Sequence, residues 1–173
     1  MYSGAGAEIL YMPYKSRISI GATVNLLKKR DFDRHFRMLD YETTTGFLSI
    51  FYASPFYNYD IALHFGRYLA KDTGATMEIR RTFDNGFSFG AFATITNVSE
   101  QEFGEGSFDK GIFFKIPLDT LLKRNTKSSY KTTVRSVQRD GGQRLNDFSG
   151  TLWHDLRSVR YDSFYNHEKE MIP

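Results

Sequence analysis

Polar and apolar residues alternate with a period of two along most of this chain. From Arg17 to Leu26, Ile18, Ile20, Ala22, Val24 and Leu26 share one face while Arg17, Ser19, Gly21, Thr23 and Asn25 share the other. A strand of that length exceeds the roughly five or six residues usual in globular proteins and matches the roughly nine to eleven of a tilted membrane-crossing strand. Similar runs follow at Thr43 to Ala53, where Leu48, Ile50 and Tyr52 oppose Phe47, Ser49 and Phe51, and at Tyr59 to Tyr68, where Ile61, Leu63 and Phe65 oppose Asp60, Ala62, His64 and Gly66. Ala75 to Phe83, Phe87 to Thr96, Gly111 to Pro117 and Tyr130 to Arg139 continue the pattern, and a first strand at about Gly4 to Met12 makes eight.

The connections suit an antiparallel order. Asp84-Asn85-Gly86 between two alternating runs signals a tight hairpin, because Asn and Gly accept the positive φ of a primed turn. Pro13-Tyr14-Lys15 and Ser54 to Asn58 read as further turns, whereas Lys28 to Asp40 and Asn97 to Lys110 read as longer, charged loops. No stretch of crossover-helix length separates the strands, so the predicted fold is all-β: an antiparallel up-and-down meander of about eight strands, an outer-membrane-type β-barrel or part of one. In the tail, Leu152, Leu156 and Val159 recur at helical spacing, with Trp153 and Phe164 nearby. This predicts an amphipathic helix over Ser149 to His167, packed on or beside the sheet, with a final pair of short strands as the alternative. The expected division is a barrel or barrel segment over 1–147 and a helix and tail over 148–173.

Composition changes the picture in one respect. The 173 residues include 16 Phe, 11 Tyr and 14 Gly, yet mean hydropathy is −0.45 and no apolar run approaches twenty residues. A membrane-spanning helix is excluded, but a membrane-spanning barrel is not, since alternating faces average out in any hydropathy window. The absence of cysteine excludes disulfide scaffolds, thiol catalysis and cysteine-held metals. Met1 to Ala7 lack the basic and apolar regions of a secretory signal, so the chain reads either as an internal protein or as an excerpt of an exported one.

Charge is uneven. Residues 1–118 hold 13 Lys+Arg and 13 Asp+Glu, whereas Lys123 to Arg144 holds seven basic residues against Asp140 alone. Lys131, Arg135 and Arg139 are four apart, so on a strand they form a basic ladder on one face, and Arg144 joins them as a candidate binding residue. Such a ladder suits an anionic glycan or a lipid headgroup. Nucleic acid is disfavoured, because no aromatics interleave as a stacking platform.

Other candidate chemistry is thin. His35, His64, His154 and His167 show no metal-ligand spacing, and no phosphate-cradling glycine motif is present, so neither metal nor cofactor is expected. His154-Asp155 near Ser149 lacks a nucleophile elbow. The acidic stretch Glu100 to Asp109 could supply the paired carboxylates of a glycan-cleaving site, with Glu105 at its centre, but any acidic loop would look the same.

Several strings carry a resemblance. Gly90 to Val98, Glu102 to Ile112 (which contains Phe103, Gly104, Glu105, Gly106, Ser107, Phe108, Asp109, Lys110 and Gly111), Phe114 to Asp119 and Arg139 to Leu145 resemble the YjbH family. The similarity is closest over residues 86–147. It implies a bacterial outer-membrane β-barrel that works with periplasmic and lipoprotein partners in exopolysaccharide and capsule export, with no catalytic residues to carry over. Family members are longer, exported and often lipid-anchored, so the chain resembles the C-terminal portion of one. The expected arrangement puts Ile18, Ile20, Ala22, Val24 and Leu26 against lipid and Arg17, Ser19, Thr23 and Asn25 in the lumen, with Phe and Tyr girdles near strand ends. The alternatives are a soluble lipocalin-like barrel for a small ligand, with its apolar face inward, and a glycan-cleaving or glycan-binding β-domain.

Overall fold

Residues alternating over nine or more positions can satisfy their backbone groups only by pairing with strands of similar length, and the chain does this hairpin by hairpin. The computed structural model describes residues 2–31, 38–97, 109–118, 129–135, 142–145 and 151–163. Its strands are β1 (Tyr2–Tyr11), β2 (Ile18–Arg30), β3 (Met38–Ala53), β4 (Tyr59–Arg67), β5 (Thr73–Thr82), β6 (Ser88–Thr96), β7 (Asp109–Pro117) and β8 (Ser129–Arg135). They form one eight-stranded antiparallel sheet in sequence order, the predicted meander. The sheet curls into a half-barrel: among the described residues β1 bonds β2 and β8 bonds β7, and these two strands form the edges.

Two predicted loops are shorter than expected. β2 and β3 run on to Arg30 and from Met38, and the cross-strand pair Lys28–Glu42, 2.6 Å apart, ties the extension together. Opposite charges facing each other across a ladder stabilise it, so a charged sequence here is strand and not loop. Asp109, Lys110 and Gly111 likewise belong to β7, opposite Thr94, Ala93 and Phe92, whereas Phe103 to Phe108 lie outside the described residues. The Asp84-Asn85-Gly86 turn is present, with Gly86 at φ +78° and its N–H donating to the Phe83 carbonyl.

The two faces of the sheet are reversed relative to a water-soluble barrel. Ile18, Ile20, Val24, Leu26, Leu48, Ile50, Phe65, Met77, Ile79, Ile95 and Ile112 are exposed on the convex face; Ile20 is 48% and Leu26 61% accessible. Buried on the concave face are Ser19, Thr23, Asn25, Thr45, Ser49, His64, Thr76 and Thr94. Register enforces this, since a slip of one residue would turn every one of these side chains over. Ile20 faces Ile50, Ile50 faces Leu63, and Leu63 faces Met77. From Ile18 to Leu26 the apolar stripe runs about 27 Å along the strand, comparable to the band of about 25 Å on outer-membrane barrels. An inward apolar face, which the lipocalin-like alternative requires, is not what the chain adopts.

The end of the sheet carrying the turns at 12–17, 54–58 and 83–87 is rich in exposed aromatics, including Tyr11, Tyr14, Tyr52, Phe56 and Tyr57, with Phe83 and Phe87 half-buried beside them.

The tail is helical but broken. It forms α1 (Leu152–Asp155), a 3-10 turn at Arg157–Val159 and a further turn at 161–163 within the described part of the predicted helix. It lies inside the curl. Trp153, 2% exposed, stacks on Phe51 with ring centroids 5.2 Å apart and joins Ala53, Ala62 and Leu10 in an apolar cluster on the concave face. The Glu8 carboxylate on β1 accepts hydrogen bonds from the Thr151 and Leu152 N–H groups, both at 3.2 Å, satisfying donors that a helix start leaves open. The expected division between residues 147 and 148 falls outside the described residues.

Candidate functional site

Inward positions on β5 to β8 carry the long cationic side chains of the concave face. On β5, Glu78 and Arg80 share the inward side, and the Arg80 guanidinium donates to Glu78 at 2.8 Å while lying 4.7 Å from the Phe113 ring. On β7 and β8, Lys115 stands directly opposite Lys131, Phe113 opposite Thr133, and Gly111 opposite Arg135. Of the sequence ladder, Lys131 and Arg135 share the inward side of β8. Arg139 lies outside the described residues.

Arg144 reaches the same space by a different route. Gly142, buried and at φ +70°, donates its N–H to the Asp72 carboxylate at 2.8 Å, and the Gln143 carbonyl accepts from the Leu69 N–H at 3.1 Å. A side chain at position 142 would be strained in that left-handed conformation. The Gly142-Gln143-Arg144 segment is thus pinned to the β4–β5 turn, with Arg144 beside Phe47, 5.7 Å from its ring. Burial pushes the Arg144 pKa down from its ordinary value and Glu78 opposes this. A guanidinium nevertheless stays protonated, so this is a desolvated cation.

Together these side chains enclose a cavity of about 190 Å³, lined by Arg80, Phe113, Lys115, Lys131, Arg135 and Arg144, with His154 and Asp155 of α1 on its other side. That is many times the roughly 10–15 Å³ one water needs, so the space holds solvent or a ligand. Charge balance within it is incomplete. Arg135 meets the buried Asp109 at 3.5 Å, but Arg135 Nε, Arg144 Nη1 and both Asp109 carboxylate oxygens are buried without a hydrogen-bond partner. Neither Lys115 nor Lys131 forms an ion pair among the described residues. Two ammonium groups directly opposed across a ladder repel, and unpaired buried donors cost on the order of 1–3 kcal/mol each. An anion would relieve both.

Around the cavity, hydroxyl groups fix the wall. Tyr68, Thr76 and Thr94 form a chain with successive 2.7 Å contacts, and Ser49 meets His64 Nδ1 at 2.7 Å. Sequence reasoning missed Arg80, Lys115 and the tail residues His154 and Asp155 as cavity lining, although the period-two rule places Arg80 with Glu78, and Lys115 with Phe113. Among the described residues no group of three or more His, Asp or Glu could hold a metal. No helix among them is long and apolar enough to cross a membrane, which says nothing about strands.

The profile of one protein family, described as exopolysaccharide biosynthesis protein YbjH, matches residues 1–157, well beyond the strings that first carried the resemblance. The chain belongs to the YjbH family. A curated YjbH relative from Escherichia coli (strain K12), named as an uncharacterized lipoprotein, is 41% identical over 150 residues. That match covers 84% of this chain and 21% of the relative, so the chain spans about a fifth of the length of that YjbH protein. No solved structure matches. The YjbH string Arg139 to Leu145 contains the Gly142-Gln143-Arg144 clamp, and Asp109 of the other string faces Arg135. Described residues of both strings thus lie at or beside the cavity: Gly142 and Arg144 line it, and Asp109 pairs with Arg135 of its lining.

Proposed function

We propose that the chain is a non-catalytic wall segment of an outer-membrane β-barrel in the exopolysaccharide pathway, its lumen lined by a basic pocket for an anionic glycan. The observation that carries this reading is the reversal of faces: a continuous apolar convex surface over a polar concave one. A soluble protein rarely exposes a contiguous apolar patch beyond a few hundred Å², whereas a barrel in lipid requires one. The curl also fits. Strand edges left open in lipid cost several kcal/mol per unpaired group, so β1 and β8 would meet further strands of a larger barrel. Outer-membrane lipid and other exopolysaccharide and capsule export proteins are the partners this reading implies.

Membership of an exopolysaccharide biosynthesis family supports the pathway, and the unpaired Arg135 and Arg144 donors support an anionic ligand. Ile20→Arg, on the apolar stripe, is expected to weaken insertion into lipid vesicles by about 2–4 kcal/mol; unchanged insertion would sink the lipid-facing assignment. For the pocket, Lys131→Glu with Arg135→Glu is expected to reduce binding of polygalacturonate, used as an anionic polymer probe, far more than Lys28→Glu with Lys29→Glu. Equal losses would reduce the pocket to bulk charge.

A further inference from the structure

Arg81 is an oddity on the convex face. It follows the inward Arg80, so its guanidinium points outward into the apolar surface, at the row nearest the aromatic-rich turns. In that row Tyr59 faces Arg81, Arg81 faces Phe89, and Phe89 faces Phe114. The next row toward the middle of the sheet is Ile61, Ile79, Ala91 and Ile112. Ala91, small between two isoleucines, opens an almost wholly apolar groove of about 220 Å³ along the surface, with Arg81 at its turn-side end.

The guanidinium is held and not satisfied. Three rings surround it, Phe83 at 4.5 Å, Tyr57 at 5.5 Å and Tyr59 at 5.7 Å, and these hold it by cation–π contact. No carboxylate pairs with it among the described residues, and its Nε is buried without a hydrogen-bond partner. A planar fork of donors at one end of an apolar slot matches an amphiphile whose headgroup is a phosphate and whose tail is hydrocarbon. We infer that Arg81 and the groove below it form a site for one phospholipid, the phosphodiester on the guanidinium and an acyl chain along Ile79, Ala91 and Ile112. This rests on the convex face being lipid-facing.

The test uses the whole chain in detergent micelles with phosphatidylglycerol and, as control, diacylglycerol of the same acyl chains, with bound lipid read by native mass spectrometry. Fluorescence of Trp153, the sole tryptophan, reports whether each variant is folded. Phosphatidylglycerol is expected to bind the unmodified chain at least about tenfold more tightly than diacylglycerol, as a charge-assisted contact of ordinary strength provides. Arg81→Gln should erase that preference, and Ala91→Leu, which fills the groove and leaves the charge, should weaken both lipids. Equal binding of the two lipids by the unmodified chain, an undiminished preference in folded Arg81→Gln, or a groove covered by a second copy of the chain in a lipid-free dimer would each overturn the site. Failure of Ile20→Arg to impair insertion would overturn the lipid-facing reading instead, so the two failures are distinguishable.

Discussion

The concave face uses arginine in two opposite ways. On the β1–β4 side, the buried Arg160 donates to Asp60 at 2.8 Å and to Asp162 at 2.9 Å, and lies 3.8 Å from the Trp153 ring. Arg157 pairs with the other Asp60 oxygen. On the β5–β8 side, Arg135 and Arg144 keep buried donors without partners, and Lys115 confronts Lys131. The first set closes its own hydrogen bonds and so fastens the tail to the wall. The second, despite the Arg80–Glu78 and Arg135–Asp109 pairs, leaves part of its charge uncompensated, a state that persists only where the surrounding fold is stable enough to bear it and that a binding surface can use.

The contrast breaks most sharply at Asp60. Removing one member of a buried ion cluster strands the others, so Asp60→Ala is expected to destabilise tail docking by on the order of 3 kcal/mol, measured by denaturant titration with Trp153 fluorescence. A loss under about 0.5 kcal/mol would mean that the cluster is solvated and the two sides of the concave face are alike. Phe51→Ala removes the stacked partner of Trp153 and should cost about 3 kcal/mol by cavity formation in the same assay, without altering binding of anions at the far wall. Loss of anion binding in that variant at denaturant concentrations where the tail is still docked would show the two sides to be coupled.

A smaller effect separates the sides by pH. His154 lies between them, facing Glu78 and Arg80 from β5, His64 from β4, and Arg157 and Arg160 from its own segment. Burial, then the nearby cations, hold its pKa well below the ordinary histidine value. The folded chain therefore keeps this imidazole neutral while the unfolded chain takes up a proton below about pH 6.5, and stability present above that pH is lost as pH falls through it. The loss approaches about 1.4 kcal/mol per pH unit for this one group. His154→Gln should reduce the pH 5 to 7 slope of the tail-docking midpoint. An unchanged slope would assign the dependence to other groups.

Much of this was legible in the chain. The strand faces followed from period two alone, and Lys131 with Arg135 from their spacing, because direction in a sheet depends only on parity. The position of the tail was not legible. Helical-moment reasoning assumes that the buried face is apolar, but this tail docks against the largely polar concave face: Val159, on the apolar stripe, is 70% exposed, while Arg160 and Asp162 are buried beside Trp153. Its anchors Glu8 and Asp60 lie about a hundred residues or more away, and nothing local announces them. The boundaries at Arg30 and Met38 were missed for a related reason, since charges that read as loop were a cross-strand pair.

The smallest effect is the most discriminating, because it has the opposite sign. Lys115 and Lys131 are directly opposed, so replacing one with a neutral residue of similar length removes repulsion without opening a cavity. Lys115→Gln is expected to leave stability unchanged or raise it by about 0.2–1 kcal/mol, while weakening polygalacturonate binding and its dependence on salt. A charge whose removal stabilises the fold and impairs binding is held for the ligand, and a charge whose removal loosens the fold, as at Asp60, is held for the structure. If Lys115→Gln instead destabilises the chain by more than about 1 kcal/mol, the ammonium has a structural partner, and the β5–β8 wall is fastened in the same way as the wall across from it.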